Sequence, residues 1–364
     1  MKKIDTLSIL AEAQVRIRRG QSLEGQAMIG SLAAAVIAYD EAVALLQALP
    51  LEGLLVRHNL GLAWMNLGNA LQKQGTAEAL ARAVCAYDET IALLAALFAQ
   101  EEPMLCNSLG AAWMNRGSVL QKQNSPASLG EAITSHERAI DLLRRLPLAD
   151  DIAFRRNLAA AWMNHGSALL QAARPPAQVR ISAEEALSLV AGHENEDVDF
   201  AEVGLKARIV LCQAMGGLLA LAGSGEAKAA LMTEASDAVD DGLELLSVWA
   251  GRGGSRFRPW QAHLFRFGAH LYRAHQPHFL AEFLLESLDP GASSSAMPVT
   301  AELLALAREA LSLARAEACH RAIPEVGTVG AERLMQTLRD LRMAEERLSA
   351  LHPAVGGPAP AGSI

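Results

Sequence analysis

The chain has little cysteine. Its 364 residues include four, Cys85, Cys106, Cys212 and Cys319, and no two form a C-x-x-C pair. So few cysteines in a chain of this length exclude a disulfide framework, and thiols kept reduced in a cytosol are the simplest expectation. Positive charge is also in deficit. A net charge of −8 argues against a general binder of nucleic acid or acidic membrane, which needs clustered Lys and Arg; a local basic patch stays open. No uninterrupted apolar run approaches the ~20 residues of a membrane span. The N-terminal stretch MKKIDTLSILAEAQVRIRRG begins like a signal peptide, but Asp5 and Glu12 interrupt its apolar run and Arg16, Arg18 and Arg19 follow. It reads as an amphipathic helix, and the expectation is a soluble cytoplasmic protein.

Catalytic motifs are missing too. There is no G-x-x-x-x-G-K-[ST], no G-x-S-x-G and no G-x-G-x-x-G opening a helix, which leaves no signature for nucleotide or acyl chemistry. His136-Glu137 opens an H-E-x-x-H pattern but meets Ile140 where the second histidine belongs, and His193-Glu194 ends in Asp197. Both are expected on solvated surface. The acidic run Glu194, Glu196, Asp197, Asp199 and Glu202 is expected as a wet connector. No enzyme activity, cofactor or metal is expected.

What the chain does have is a repeat. AWMNLGNALQKQG from Ala63 returns as AWMNRGSVLQKQN from Ala112 and AWMNHGSALLQAA from Ala161, at intervals of 49 residues. Helix punctuation surrounds each copy. Pro103 suits a first helical turn, Asp150 and Asp151 can cap the third copy, and Gly75, Asn124 and Pro175-Pro176 close the copies. Between them lies a second periodic segment, from Ala35, Ala83 and Ala132. Ser125-Pro126 can start one of these, and Ser182 with Glu185 reads as a capping box for a further one. Each unit is then two antiparallel helices, A and B.

This pattern resembles helix A and helix B of the tetratricopeptide repeat. Trp64, Leu67 and Gly68 match its W-x2-L-G, Ala83 and Tyr87 its A-x3-F/Y, and Leu71 replaces its usual tyrosine. The likeness is strong over about residues 30–175 and weak beyond. It implies an all-α solenoid of antiparallel helix pairs forming a right-handed superhelix. The period departs from the family, 49 residues against its 34. Three residues are added between the helices and twelve between Tyr87 and Trp113, so the helices lengthen and the stack broadens. The expected organisation is an atypical helix pair over 1–50, regular repeats over 51–190, divergent pairs over 191–290 with Gly268 in a glycine slot, capping helices over 299–351 and a disordered tail over 352–364. Residues 291–298 are expected as a loop. Gly68, Gly117 and Gly166 each cost about 1 kcal/mol in a helix relative to Ala, so they are expected to let helix B approach closely. Trp64, Trp113 and Trp162 are expected to fill the seam.

Two constellations could carry function. The resemblance places the residues after each tryptophan on a concave groove: Met65, Met114 and Met163; Asn66, Asn115 and Asn164; Asn69, Ser118 and Ser167; Gln72, Gln121 and Leu170; with Lys73 and Lys122 at the edge. The asparagine row is similar to the ladders of O-GlcNAc transferase and importin-type solenoids. An asparagine amide offers one acceptor and two donors, so the row either pairs with a peptide backbone or bonds across the stack and holds it. The family's chaperone-binding members clamp a carboxylate with lysine where this chain has methionine, so that clamp is not expected. The second constellation is basic. Leu245 to Ala281 contains no Asp or Glu, but has five arginines and four histidines. His263, Arg266, His270 and Arg273 fall on one helical face, with Arg256 and Arg258 near the helix start, a candidate anion site. His263 and His270 are two turns apart, too far to share a metal without other ligands. The expected function is binding of a protein or peptide partner along the groove. The alternatives are a ligand-sensing regulator and an anion or nucleic-acid adaptor working through residues 252–278.

Overall fold

The computed structural model describes residues 3–26, 30–51, 53–96, 102–149, 151–253, 257–275, 280–288, 301–321 and 328–350. The expected loop 291–298, the tail 352–364, Asp150 and Arg256 lie outside them. Every regular element among the described residues is a helix: α1 (Lys3–Glu24), α2 (Ser31–Gln47), α3 (Leu54–Gln74), α4 (Ala77–Ala95), α5 (Pro103–Gln123), α6 (Pro126–Leu143), α7 (Ile152–Gln171), α8 (Pro176–Val190), α9 (Val198–Leu221), α10 (Glu226–Gly253), α11 (Arg258–His275), α12 (Leu280–Leu288), α13 (Ala301–Arg321) and α14 (Thr328–Ala350). The chain divides into two compact units, Met1–Leu189 and Val190–Ile364.

In the first unit the helices stack as a solenoid does. α1 packs on α2, α3 on α4 and α5 on α6; α2 then meets α3, α4 meets α5 and α6 meets α7; and α1, α3, α5 and α7 touch in succession. The boundaries follow from local chemistry. Pro103 opens α5 where its missing N–H costs nothing. Thr76 and Asp151 accept hydrogen bonds from the backbone of Ala79 and Ala153 at the starts of α4 and α7. Ser125 and Ser128 form a reciprocal box on α6. α3 and α5 end in the left-handed conformation at Gly75 (φ 71°) and Asn124 (φ 52°), residue types that tolerate it. One expected start is corrected. Ser182 does not cap a helix: α8 already begins at Pro176, and the Ser182 hydroxyl lies inside it, donating to the Gln178 carbonyl.

The glycine slot sets the spacing within the α1–α2, α3–α4 and α5–α6 pairs. A Cβ on Gly68 would lie 2.8 Å from the Tyr87 ring, and one on Gly117 would lie 2.5 Å from the His136 ring, closer than real Cβ contacts permit. Gly20 meets Tyr39 in the same way at 2.5 Å, so α1 and α2 pack as the later pairs do. Each central pair has a second close glycine contact two turns earlier, Gly110 on Leu143 at 2.7 Å and, less tightly, Gly61 on Leu94 at 3.2 Å. Tyr39, Tyr87 and His136 are wholly buried. The seam expected to hold the tryptophans is thus filled from the B helices. Trp64, Trp113 and Trp162 pack on the core clusters from equivalent positions, yet each stays partly exposed. His136, expected on the surface, is core.

The second unit has its own core, centred on Leu205, Leu264, Phe265, Leu284 and Leu341. Gly268 sits against Phe283 at 2.5 Å and Val239 at 2.9 Å, a glycine approach as expected. The acidic loop before α9 is a wet connector only in part: Glu196 is exposed, but its neighbours are engaged. Glu194 pairs with Arg208, both side chains 13% exposed, and its carbonyl accepts the Trp249 indole N–H at 2.8 Å. His193 packs on Phe200, and the Asp197 carboxylate caps α9 by accepting from the backbone of Asp199 and Phe200. Among the described residues α9 alone is long and apolar enough to pass for a membrane span, which the sequence reading did not anticipate. Half of that stretch is buried inside the fold.

Candidate functional site

The repeated tetrad places polar side chains on successive A helices, and most of them bond to one another. The Asn115 amide on α5 donates to Asn69 Oδ1 on α3 at 3.1 Å and lies 3.9 Å from Met65 Sδ. Asn164 on α7 stands to Ser118 on α5 in the same register, at 3.5 Å. Ser118 uses its own proton on the Met114 carbonyl, which leaves its oxygen to accept. Gln121 reaches Gln171 at 3.2 Å and Ser167 at 3.5 Å, and a further rung joins Asn157 to Asn107 at 2.8 Å. These are cross-links between pairs.

The B helices complete the network. The Tyr87 hydroxyl donates to Asn69 Oδ1 at 2.7 Å and approaches Gln72 Oε1 at 3.2 Å. In the third unit His136 replaces the tyrosine, its Nε2 3.0 Å from Gln121 Oε1. That oxygen can only accept, so the proton sits on Nε2 and Nδ1 is left buried with no partner. Burial, with the nearby His165 second, pushes the His136 pKa down to about 3, so it stays neutral. Burial also holds His165 below the ordinary range, and its Nδ1 lies 3.0 Å from Ser182 Oγ.

The first interface differs. Asn66 occupies the same position as Asn115 and Asn164, but no rung forms there. Instead Asn66, Asn69 and Gln72 of α3 face Gln21 and Glu24 of α1 across an open cleft of about 590 Å³, with Tyr39, Lys73 and Lys122 also on its walls. Glu24 accepts from Tyr39 at 2.7 Å and pairs with Lys73. Burial and then Glu24 push the Tyr39 phenol above its ordinary range. Glu24, Tyr39 and Lys73 are thus tied to one another by internal bonds, while Gln21, Asn66 and Lys122 line the same cleft outside that network.

Of the residues expected to be exposed on the groove, Met65, Asn66, Asn69, Gln72, Met114, Asn115, Ser118, Asn164, Ser167 and Leu170 are half-buried, and Lys73 and Lys122 are exposed. Met163 and Gln121 are buried, at 8% and 9% exposure, so they leave the exposed rows. Met65 and Met114 pack against the core clusters and do not form a free apolar floor. Sequence reasoning missed Gln21 and Glu24; the signal was the 19-residue step from Gly20 to Tyr39, which equals that from Gly68 to Tyr87. In the basic constellation His263, Arg266 and His270 are exposed and Arg273 is half-buried, while Leu264, Gly268 and Leu271 are buried on the opposite face. The Arg258 side chain lies outside the described residues. Among the described residues no group of three or more His, Cys, Asp or Glu is placed to hold a metal.

No family model matches the chain. No curated protein matches it. Among solved structures it is similar to a chain described under "The hypoxic regulator of sterol synthesis Nro1 is a nuclear import adaptor", at 14% identity over 92% of this chain and 99% of that one, with a TM-score of 0.45. A likeness of that size carries no argument about function.

Proposed function

We propose that this chain is a tetratricopeptide-like scaffold that binds an extended segment of a partner protein along the A helices of residues 1–189, with no chemistry of its own. One observation supports the reading above the rest: the asparagine row is bonded across two interfaces and unbonded at the first, where Glu24 and Lys73 bridge the helices at the edge. Asn115 and Asn164 have their amides engaged by neighbouring helices, so those rungs hold the stack. Gln21 and Asn66 line a cleft instead. Side-chain amides pair with a peptide backbone whatever side chains it carries, and exposed Lys122 on the rim favours a segment with acidic residues. The cytoplasm is the compartment we expect.

The test selects linear peptides on the full chain and measures their affinity for variants. Gln21→Ala with Asn66→Ala should weaken the selected peptides roughly tenfold or more, equivalent to about 1.4 kcal/mol. Its unfolding free energy should stay within about 0.5 kcal/mol of the parent. Asn115→Ala should do the reverse, costing about 1 kcal/mol of stability for the lost hydrogen bond with a smaller effect on binding. Peptide affinity unchanged in the Gln21/Asn66 variant would sink the reading.

A further inference from the structure

The second unit carries a separate feature. On α11 the exposed row of His263, Arg266 and His270 continues into half-buried Arg273 and forms a ridge between two clefts. The cleft toward α13, about 310 Å³, sets Arg266, His270 and Arg273 on one wall against Leu306, Ala310 and Leu313 on the other. Among the described residues on its walls Glu309 is the one acid. The cleft toward α9, about 390 Å³, shares Arg266 and His270 and runs onto Ile209 and Phe267. Both volumes fall at the small end of the range for ligand sites.

We propose that the α11–α13 cleft binds a small amphiphilic anion, its carboxylate or phosphate held by Arg266, His270 and Arg273 and its hydrocarbon laid on Leu306, Ala310 and Leu313. Three observations combine. A guanidinium presents a planar fork of donors that fits an oxyanion in two-point contact, and two of them share this wall. Arg273 Nη2 lies 3.3 Å from His270 Nδ1. A guanidinium cannot accept, so Nδ1 does, and His270 carries its proton on Nε2 as a further donor. The opposite wall is aliphatic apart from Glu309, and Leu313 is 39% exposed, a surface that hydrocarbon would cover. A polyanionic strand fits poorly, because Glu309 and the leucines would face its phosphates and the chain is acidic as a whole. This site is independent of the A-helix groove.

Calorimetric titration of the full chain with octanoate, octyl phosphate, inorganic phosphate and a short DNA duplex tests this. The expected result is saturable binding of octyl phosphate, octanoate or both, with inorganic phosphate at least tenfold weaker. The two amphiphiles show which oxyanion is preferred. Arg266→Gln with Arg273→Gln should weaken the amphiphile at least tenfold, and Leu313→Glu should do the same from the other wall. If the double variant loses its helical circular dichroism, exposed Arg266→Gln alone must still weaken binding at least threefold. The proposal is overturned if no amphiphile saturates, if inorganic phosphate binds as well as octyl phosphate, or if DNA is the preferred ligand.

Discussion

His136 stands where two other pairs carry tyrosine, and it titrates where they do not. Its folded pKa of about 3 lies below the ordinary 6.5. Between those values the unfolded chain therefore binds the extra proton, so stability falls as pH drops through 6.5 and levels off below about 3. At pH 5 the loss from this group is about 2 kcal/mol. His136→Tyr should remove it, since Ser118 and Gln121 stand where Asn69 and Gln72 receive the Tyr87 hydroxyl. Urea unfolding at pH 7 and pH 5 should thus show a smaller acid loss in the variant; equal losses would place the proton elsewhere. Glycines divide in a comparable way. Gly68→Ala would press a methyl group onto the Tyr87 ring at 2.8 Å. It should destabilise by roughly 1–2 kcal/mol, overpacking outweighing the gain of up to about 1 kcal/mol in helix propensity. Gly130, inside α6, has nothing within 4 Å of its would-be Cβ. Gly130→Ala should raise stability by about 0.5–1 kcal/mol, and thermal melts of the two variants should move in opposite directions.

Elements were legible wherever a local signal acts alone. Pro103, Ser125, Asp151, Gly75 and Asn124 each sit at the helix ends their chemistry predicts, because caps and stops are decided within a few residues. Reading failed where two local signals competed or where the third dimension decided. Ser182 and Glu185 look like a capping box, but Pro175-Pro176 stands upstream and opens α8 first. Glu194 looks solvated among its acidic neighbours, and only the fold brings Arg208 and Trp249 to it. The groove was legible as a row of positions and illegible as chemistry. Three identical asparagines do not say that two have partners and one does not; that depends on whether the preceding A helix offers Asn69, Ser118 or the more distant Gln21. The second glycine contact, Gly61 and Gly110, was present in the 49-residue period yet carried no family pattern to draw attention to it.

At the scale of the whole molecule, all-α architecture and the sequential pairing of α1 to α7 agree with the reading from repeats. A stack in which each pair touches only its neighbours distributes its stability unevenly. The α1–α2 pair has a neighbour on one side, α3–α4 and α5–α6 on both. Amide hydrogen exchange should therefore be slowest in α3 to α6 and faster in α1 and α2; uniform protection over residues 3–143 would contradict a modular stack. The doubled glycine contact has a mechanical consequence. Gly61 with Gly68, and Gly110 with Gly117, hold their pairs at two points seven residues apart, about 10 Å along the axis. A single point of contact is a pivot, whereas two make a stiff plate. Bending of the array is then confined to the joints between plates, of which the later ones are pinned by Asn115 and Asn164. The joint at Gln21 and Asn66 lacks the asparagine rung and is held at its edge by the Glu24–Lys73 ion pair, so a peptide seated there would set the tilt of the α1–α2 pair about that edge, and occupancy of the cleft would be readable as a change in curvature.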